Sequence, residues 1–223
     1  MRHIHFLTIF FAVLMSTSAA FAAPLIAVDR GDGVLVEKES GKIIGKINPG
    51  NPTGQIIRVD AGNYAVGFVS TLLFEPVEKK DIPVPAYNRD AMERVTTFLT
   101  TGRKDPLRLF ISCTEMKEEF YNRVMRGAET EYIDTRLEKA SRDAGKTMPR
   151  RVDFPTVGDG SRLYTVTDMM NGIKMHTDIL YIVKAPVIWA VEFDYPEDVP
   201  GLGARVREAL EDVQAWTTGE PGK

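Results

Sequence analysis

An α+β fold, with a mainly antiparallel β-sheet and helices packed on it, is predicted by three features of the sequence. Short β-type runs broken by turn residues fill the segment from Leu25 to Phe74, helical spacing of apolar residues recurs through the middle, and an Asn-Gly pair separates two long runs in the last third. There is no strict βαβ rhythm, no repeat period and no low-complexity tract.

The chain of 223 residues opens with Arg2, His3 and His5, runs apolar from Phe6 to Met15, and continues through Ser16, Thr17 and Ser18 to Ala20, Phe21, Ala22. That order is the charged, apolar and small-residue succession of a secretory signal peptide, with cleavage expected before Ala23. The apolar run is about half of the roughly 20 residues that a spanning helix requires, so a retained anchor is the lesser alternative. After residue 22 no segment is long and apolar enough to span a bilayer. Residues 23–223 are expected to form a single domain, which at that size buries roughly 70 percent of its unfolded surface.

Within it, Leu25 to Val28, Val34 to Glu37, Ile43 to Ile47, Gln55 to Val59 and Tyr64 to Val69 read as an antiparallel meander. A proline-bearing stretch, residues 75–86 with Pro76, Pro83 and Pro85, reads as a linker and marks the best internal sub-boundary. Asp90 then suits the N-cap of a helix carrying Met92, Val95, Phe98 and Leu99, ended by Gly102. Leu107 to Ile111 follows as a strand. Ser112 with Glu115 reads as a capping box opening a long helix through Phe120, Val124 and Tyr132 to Leu137, with Gly127 placed to bend or divide it.

The last third is the clearest. Leu163 to Met169 and Ile173 to Val183 flank Asn171-Gly172, a two-residue hairpin turn, which pairs Met170 with Ile173, Thr167 with His176 and Thr165 with Asp178. One face of the hairpin then carries Thr165, Thr167, Met169, Lys174, His176 and Asp178. The other, with Tyr164, Val166, Met175 and Ile179, is the more apolar near the turn and is expected to face the core. Beyond it come a strand from Val187 to Phe193 and a helix with Leu202, Val206, Leu210 and Val213 on one stripe. This closing order of hairpin, strand and helix resembles the end of the layout in the extrinsic oxygen-evolving subunits of photosystem II. The resemblance is one of layout, without a family motif, and implies no function.

Composition narrows the function. The chain has 28 basic and 31 acidic residues; loss of Arg2 with the signal leaves 27 against 31, a net charge of about −4. No basic stripe with interleaved aromatics occurs, so nucleic acid is not an expected partner. One cysteine excludes an intramolecular disulfide, and the only N-x-S/T match, at Asn51, is disqualified by Pro52. An exported chain without either feature points to a bacterial envelope, with the periplasm the expected address and the extracellular medium the alternative.

Few residues offer chemistry. If Ser112 caps a helix, Cys113 is its first residue, where the helix dipole favours a thiolate; the alternative is a small packed core residue. His176 is the only histidine after the signal and the only obvious general base near neutral pH, with Asp178 two residues on. Glu192 and Asp194 share a strand face and suit either paired carboxylates or alternate acids on the wet end of a strand. Asp29, Asp32 and Asp159 lie in glycine-bearing loops as ordinary turn residues, and Arg30-Gly31-Asp32 is too short to specify adhesion. No zinc or calcium pattern, phosphate-binding loop or nucleophile elbow is present, so no metal or cofactor is expected. The leading expectation is a non-catalytic domain that binds an unidentified protein or small ligand. The alternatives are a cysteine hydrolase or transferase using Cys113 with His176, and a structural envelope component. A separation of Cys113 and His176 beyond about 10 Å would exclude the pair.

Overall fold

The computed structural model describes residues 25–29, 34–37, 43–46, 55–84, 86–143 and 147–218. Residues 1–22, the segment expected to be a signal peptide, and Arg30-Gly31-Asp32 lie outside them. Among the described residues, thirteen strands form a six-stranded sheet ordered β13-β5-β4-β1-β2-β3 and a seven-stranded sheet ordered β6-β7-β8-β12-β11-β10-β9, with every ladder antiparallel. The fold is therefore α+β with mainly antiparallel sheets and helices packed on them.

The first sheet holds β1 (Leu25–Asp29), β2 (Val34–Glu37), β3 (Ile43–Lys46), β4 (Gln55–Ala61) and β5 (Tyr64–Ser70). These match the strands expected, but not as a simple meander: β4 pairs with β1 instead of β3. The sixth member, β13 (Gln214–Thr217), comes from the far end of the chain and pairs with β5. A Cβ on Gly67 would stand 2.9 Å from both the Ile57 carbonyl oxygen and the Trp216 ring, so glycine is what lets Trp216 lie across β5.

Three expectations are corrected in the middle of the chain. Most of the expected linker is β6 (Phe74–Ile82), the edge strand of the seven-stranded sheet. Its proline is tolerated because edge strands need only one set of ladder hydrogen bonds, and the register shifts between Pro76 and Lys79. The expected helix from Asp90 is β7 (Met92–Gly102). Its Val95, Thr96, Thr97, Thr100 and Thr101 are β-branched, and Phe98 and Val95 enter cores on opposite faces of the sheet, so the apparent helical spacing arose from a strand buried on both sides. The expected capping box at Ser112 is also absent: β8 (Arg108–Met116) runs straight through it, with Ser112 paired to Thr97 and Ala190. The helix begins only at Glu118, as a short turn α1 (Glu118–Phe120) passing into a π-helical turn, Tyr121–Met125. Gly127, at φ +82°, divides it from α2 (Glu129–Asp143).

The hairpin forms in the expected register. β10 (Gly160–Met170) and β11 (Ile173–Lys184) pair Met170 with Ile173, Thr167 with His176 and Thr165 with Asp178, around Asn171 and Gly172 at φ +53° and +82°. β12 (Val187–Pro196) lies between β11 and β8 at the centre of the sheet, and β9 (Arg150–Val152) edges β10. A helix, α3 (Leu202–Glu211), buries Leu202, Val206, Ala209 and Leu210.

The seven-stranded sheet is covered on both faces. Leu109, Ile111, Leu163, Leu180, Ile182, Trp189 and Phe193 point to the inner face, where they meet Ile57, Val66 and Phe68 of the other sheet and the apolar stripe of α3. Tyr164, Ile179, Tyr181, Ile188 and Ala190 point to the outer face, under Ile133 and Leu137 of α2 and Tyr121 and Met125 before it. The larger core thus takes the hairpin face of Leu163, Leu180 and Ile182, not the face of Tyr164 and Ile179. The pattern near the turn misled because both faces become apolar once the strands run beneath neighbouring layers.

Candidate functional site

Cys113 sits in the middle of β8 and not at a helix terminus. It is 3 % exposed, beside Trp189 and Thr96, and burial raises its thiol pKa well above the ordinary value, with the Glu115 carboxylate adding to the effect. No helix dipole acts on it. On the inner face Cys113 is level with Trp189 and Ile182, whereas His176 is level with Tyr195, six residues further along β11 and β12. At roughly 3.3 Å per residue that is about 20 Å along the strands. The structure does not bring Cys113 and His176 together.

It does bring together His176 and Asp178. Alternation on β11 places both on the inner face, where the hairpin nears its tip, and β10 and β12 add Thr165, Thr167 and Tyr195 to the same patch. His176 Nε2 lies 3.1 Å from Asp178 Oδ1 and 2.6 Å from Thr165 Oγ1, and Nδ1 lies 3.3 Å from Thr167 Oγ1. The Tyr195 hydroxyl donates to Asp178 Oδ2 at 2.8 Å, and its ring lies 5.2 Å from the imidazole. The hydrogen bond to Asp178 raises the His176 pKa, against the effect of burial. Burial alone would raise the Asp178 pKa, but the His176 and Tyr195 hydrogen bonds hold it below its ordinary value. His176 is therefore more enclosed than the solvated residue its place near the turn suggests. In a nucleophilic relay the carboxylate and the nucleophile take opposite ring nitrogens. Here Asp178 and Thr165 converge on Nε2 while the Thr167 hydroxyl stands at Nδ1, so the imidazole is anchored between a carboxylate and two hydroxyls.

Glu192 and Asp194 are a second correction. They share the outer face of β12, but Glu192 is 7 % exposed, with Phe110 and Ile179 as lateral neighbours. A wet strand end requires an open flank, and β12 is the central strand of seven. Burial and the adjacent Asp194 carboxylate raise the Glu192 pKa to about 8, with Arg108 opposing. Asp194 itself is neutralised by Arg108 at 2.9 Å and accepts from Thr177 at 2.6 Å. Asp159 serves its turn, accepting from the Ala185 amide at 3.0 Å. Among the described residues no three of histidine, cysteine, aspartate and glutamate are placed to hold a metal ion.

The outer face also carries a cleft, beneath α2. Met92, Met116 and Ile188 of the sheet face Ile133 and Leu137 of the helix across it. Four groups on its lining are polar or aromatic: Thr114 and Tyr181 from the sheet, Tyr132 and Arg136 from α2. α2 is a thinly attached roof, since Ile133 and Leu137 are the buried residues among its fifteen. Polar bonds complete the attachment: the Tyr164 hydroxyl donates to Asp134, and the Tyr121 hydroxyl donates to Glu129 at 2.6 Å. Sequence reasoning missed this cleft because it placed Met92 and Thr114 in helices; the available signal was the β-branched content of both segments. No protein-family model matches the chain, and neither a curated protein nor a solved structure matches it.

Proposed function

We propose that this protein is an exported, non-catalytic binding domain of a bacterial envelope, periplasmic by preference, which takes a small apolar ligand in the cleft between α2 and the seven-stranded sheet. The observation that carries the proposal is the cleft's construction: walls of Met92, Met116, Ile133, Leu137 and Ile188, with a few polar groups, beneath a helix held by two buried residues. Ligand sites are typically concave and mainly apolar, with a small number of orienting polar groups, and methionine walls adapt to the shape of what they hold. Export rests on the first 22 residues of the sequence. The rival cysteine chemistry is disfavoured by the distance of about 20 Å between Cys113 and His176 along the strands.

The test is fluorescence titration of the protein with N-phenyl-1-naphthylamine, a neutral apolar probe. Saturable binding is expected, weakened at least tenfold by Ile188→Phe, which fills the floor of the cleft. Absence of saturable binding, or binding indifferent to Ile188→Phe in a folded variant, refutes the proposal.

A further inference from the structure

We infer that α2 is a hinged lid on the cleft, swinging about Gly127 to admit a neutral hydrocarbon group too large for the closed space, so that the latch at Asp134 sets the affinity; the inference rests on the binding role proposed above. The closed cleft is about 40 Å³. That is roughly a quarter of the roughly 150 Å³ that encloses one benzene ring, so even a single ring is enclosed only if a wall moves. The sheet wall is fixed: Thr114, Met116, Tyr181 and Ile188 lie on β8, β11 and β12, each paired along both edges. The opposite wall is Tyr132, Ile133, Arg136 and Leu137, all of them from α2.

α2 is built to move as a unit. At its start Gly127 holds φ +82°, a conformation glycine adopts freely, and a Cβ there would meet nothing within 4 Å, so the backbone can turn without collision. Before this pivot Tyr121 and Met125 are buried against the sheet. Beyond it α2 is held by Ile133, Leu137 and a polar latch at Asp134, which accepts from the Tyr164 hydroxyl of β10. The latch is incomplete. Arg162 Nε stands 4.0 Å from Asp134 Oδ2, outside hydrogen-bond reach, and among the described residues this buried nitrogen has no partner. Lifting α2 lets water reach it, which offsets part of the cost of breaking the Tyr164 bond. The ligand class follows from the walls. Met92, Met116, Ile133, Leu137 and Ile188 are apolar, and Arg136 is already engaged, with its guanidinium 5.7 Å from the Tyr132 ring centroid. With Arg136 committed, an ionic head would be buried without a counter-charge, whereas thioether and aliphatic walls suit uncharged rings and chains.

The experiment titrates the protein and its variants with N-phenyl-1-naphthylamine, which carries a naphthalene and a phenyl ring. Tyr164→Phe keeps the aromatic ring and removes the latch hydroxyl, and Tyr164 is not among the residues lining the cleft. This variant is expected to bind the probe roughly tenfold more tightly, the scale of one charge-assisted hydrogen bond, because the open state is then more populated before the probe arrives. Hydrogen exchange of α2 amides should quicken in the same variant, with amides of β8 and β12 unchanged. Cys113→Ser, which loosens the core on the other face of the sheet, should leave the probe affinity as it is. A Tyr164→Phe variant that binds the probe no more tightly than the unmodified protein, α2 amides that exchange no faster, or equal tightening in Cys113→Ser overturns the inference while leaving the apolar site in place. Failure of the probe to bind the unmodified protein overturns both.

Discussion

At the scale of single residues, four side chains carry charge or reactivity that their neighbours decide. Glu192 is the largest effect. With its pKa raised from an ordinary 4.5 to about 8, the folded state keeps a proton that the unfolded chain has lost at intermediate pH. Stability should therefore fall as pH rises between about 4.5 and 8 and level off above that. Glu192→Gln, which cannot ionise, should leave stability near pH 5 little changed and raise it by roughly 1–3 kcal/mol at pH 9. Urea unfolding midpoints at pH 5, 7 and 9 check this, and an unaltered pH profile would contradict it. The His176–Asp178 pair has a different window. His176, with a raised pKa, stabilises fully below its unfolded value near 6.5 and loses that contribution as pH rises through its folded value; Asp178, with a lowered pKa, stabilises above its unfolded value near 3.8 and loses that contribution as pH falls through its folded value. The cost of His176→Gln should thus be greatest between roughly pH 4 and 6.5, on the order of 1 kcal/mol, and shrink toward pH 8.5. A cost that grows with pH over this range would be evidence against the ion pair. Cys113 is a core residue: Cys113→Ser should cost on the order of 1 kcal/mol or more, and the native thiol should react slowly with iodoacetamide until the protein unfolds. Rapid labelling of the native protein would reopen cysteine chemistry.

At the scale of elements, α2 is the member most weakly tied to the rest. A helix of fifteen residues with two buried side chains draws little stabilisation from packing, and helices of that length are marginal by themselves. Leu137→Ala should remove about half of its apolar anchorage. Hydrogen exchange of α2 amides should accelerate at least tenfold, while amides of β8, β11 and β12 in the sheet centre change far less. Uniform acceleration across both would show that α2 opens only with global unfolding. The hairpin is the opposite case, because its register follows from the Asn171-Gly172 turn and the two-residue alternation of its strands, both local. That is why the neighbours of His176 could be derived from sequence while the status of β7 could not. In β7 a run of β-branched residues competed with apolar spacing that fits a helix, and the decision came from partners outside the segment: β6 and β8 on its flanks, and a core against each face.

At the scale of the whole molecule, one core joins the two sheets, with Trp189 fully buried within the seven-stranded sheet's inner face and packed in the cluster that includes Ile57, Val66 and Phe68. The chain changes sheets between β5 and β6 and returns to the first sheet with β13, so the first sheet is completed only after the whole of the second. Unfolding followed by tryptophan fluorescence and by far-ultraviolet circular dichroism should give coincident transitions, and Trp189→Ala should lower stability by about 3–5 kcal/mol. Separate transitions would mean that the sheets are stable independently. What the sequence determined by itself were features written in short range: the α+β class, the turn at Asn171-Gly172, the stripe of α3, the hairpin pairing that unites His176 with Asp178. Only the tertiary structure decided which faces are covered, that Ser112 and Cys113 lie within a central strand, that Glu192 is shielded from water, and that Thr114 and Tyr181 meet α2 across a cleft. The physical reason is range. Turn geometry and alternation act over a few residues, whereas burial and pKa depend on strands such as β8 and β12 that are far apart in the chain and become neighbours only when the sheets assemble.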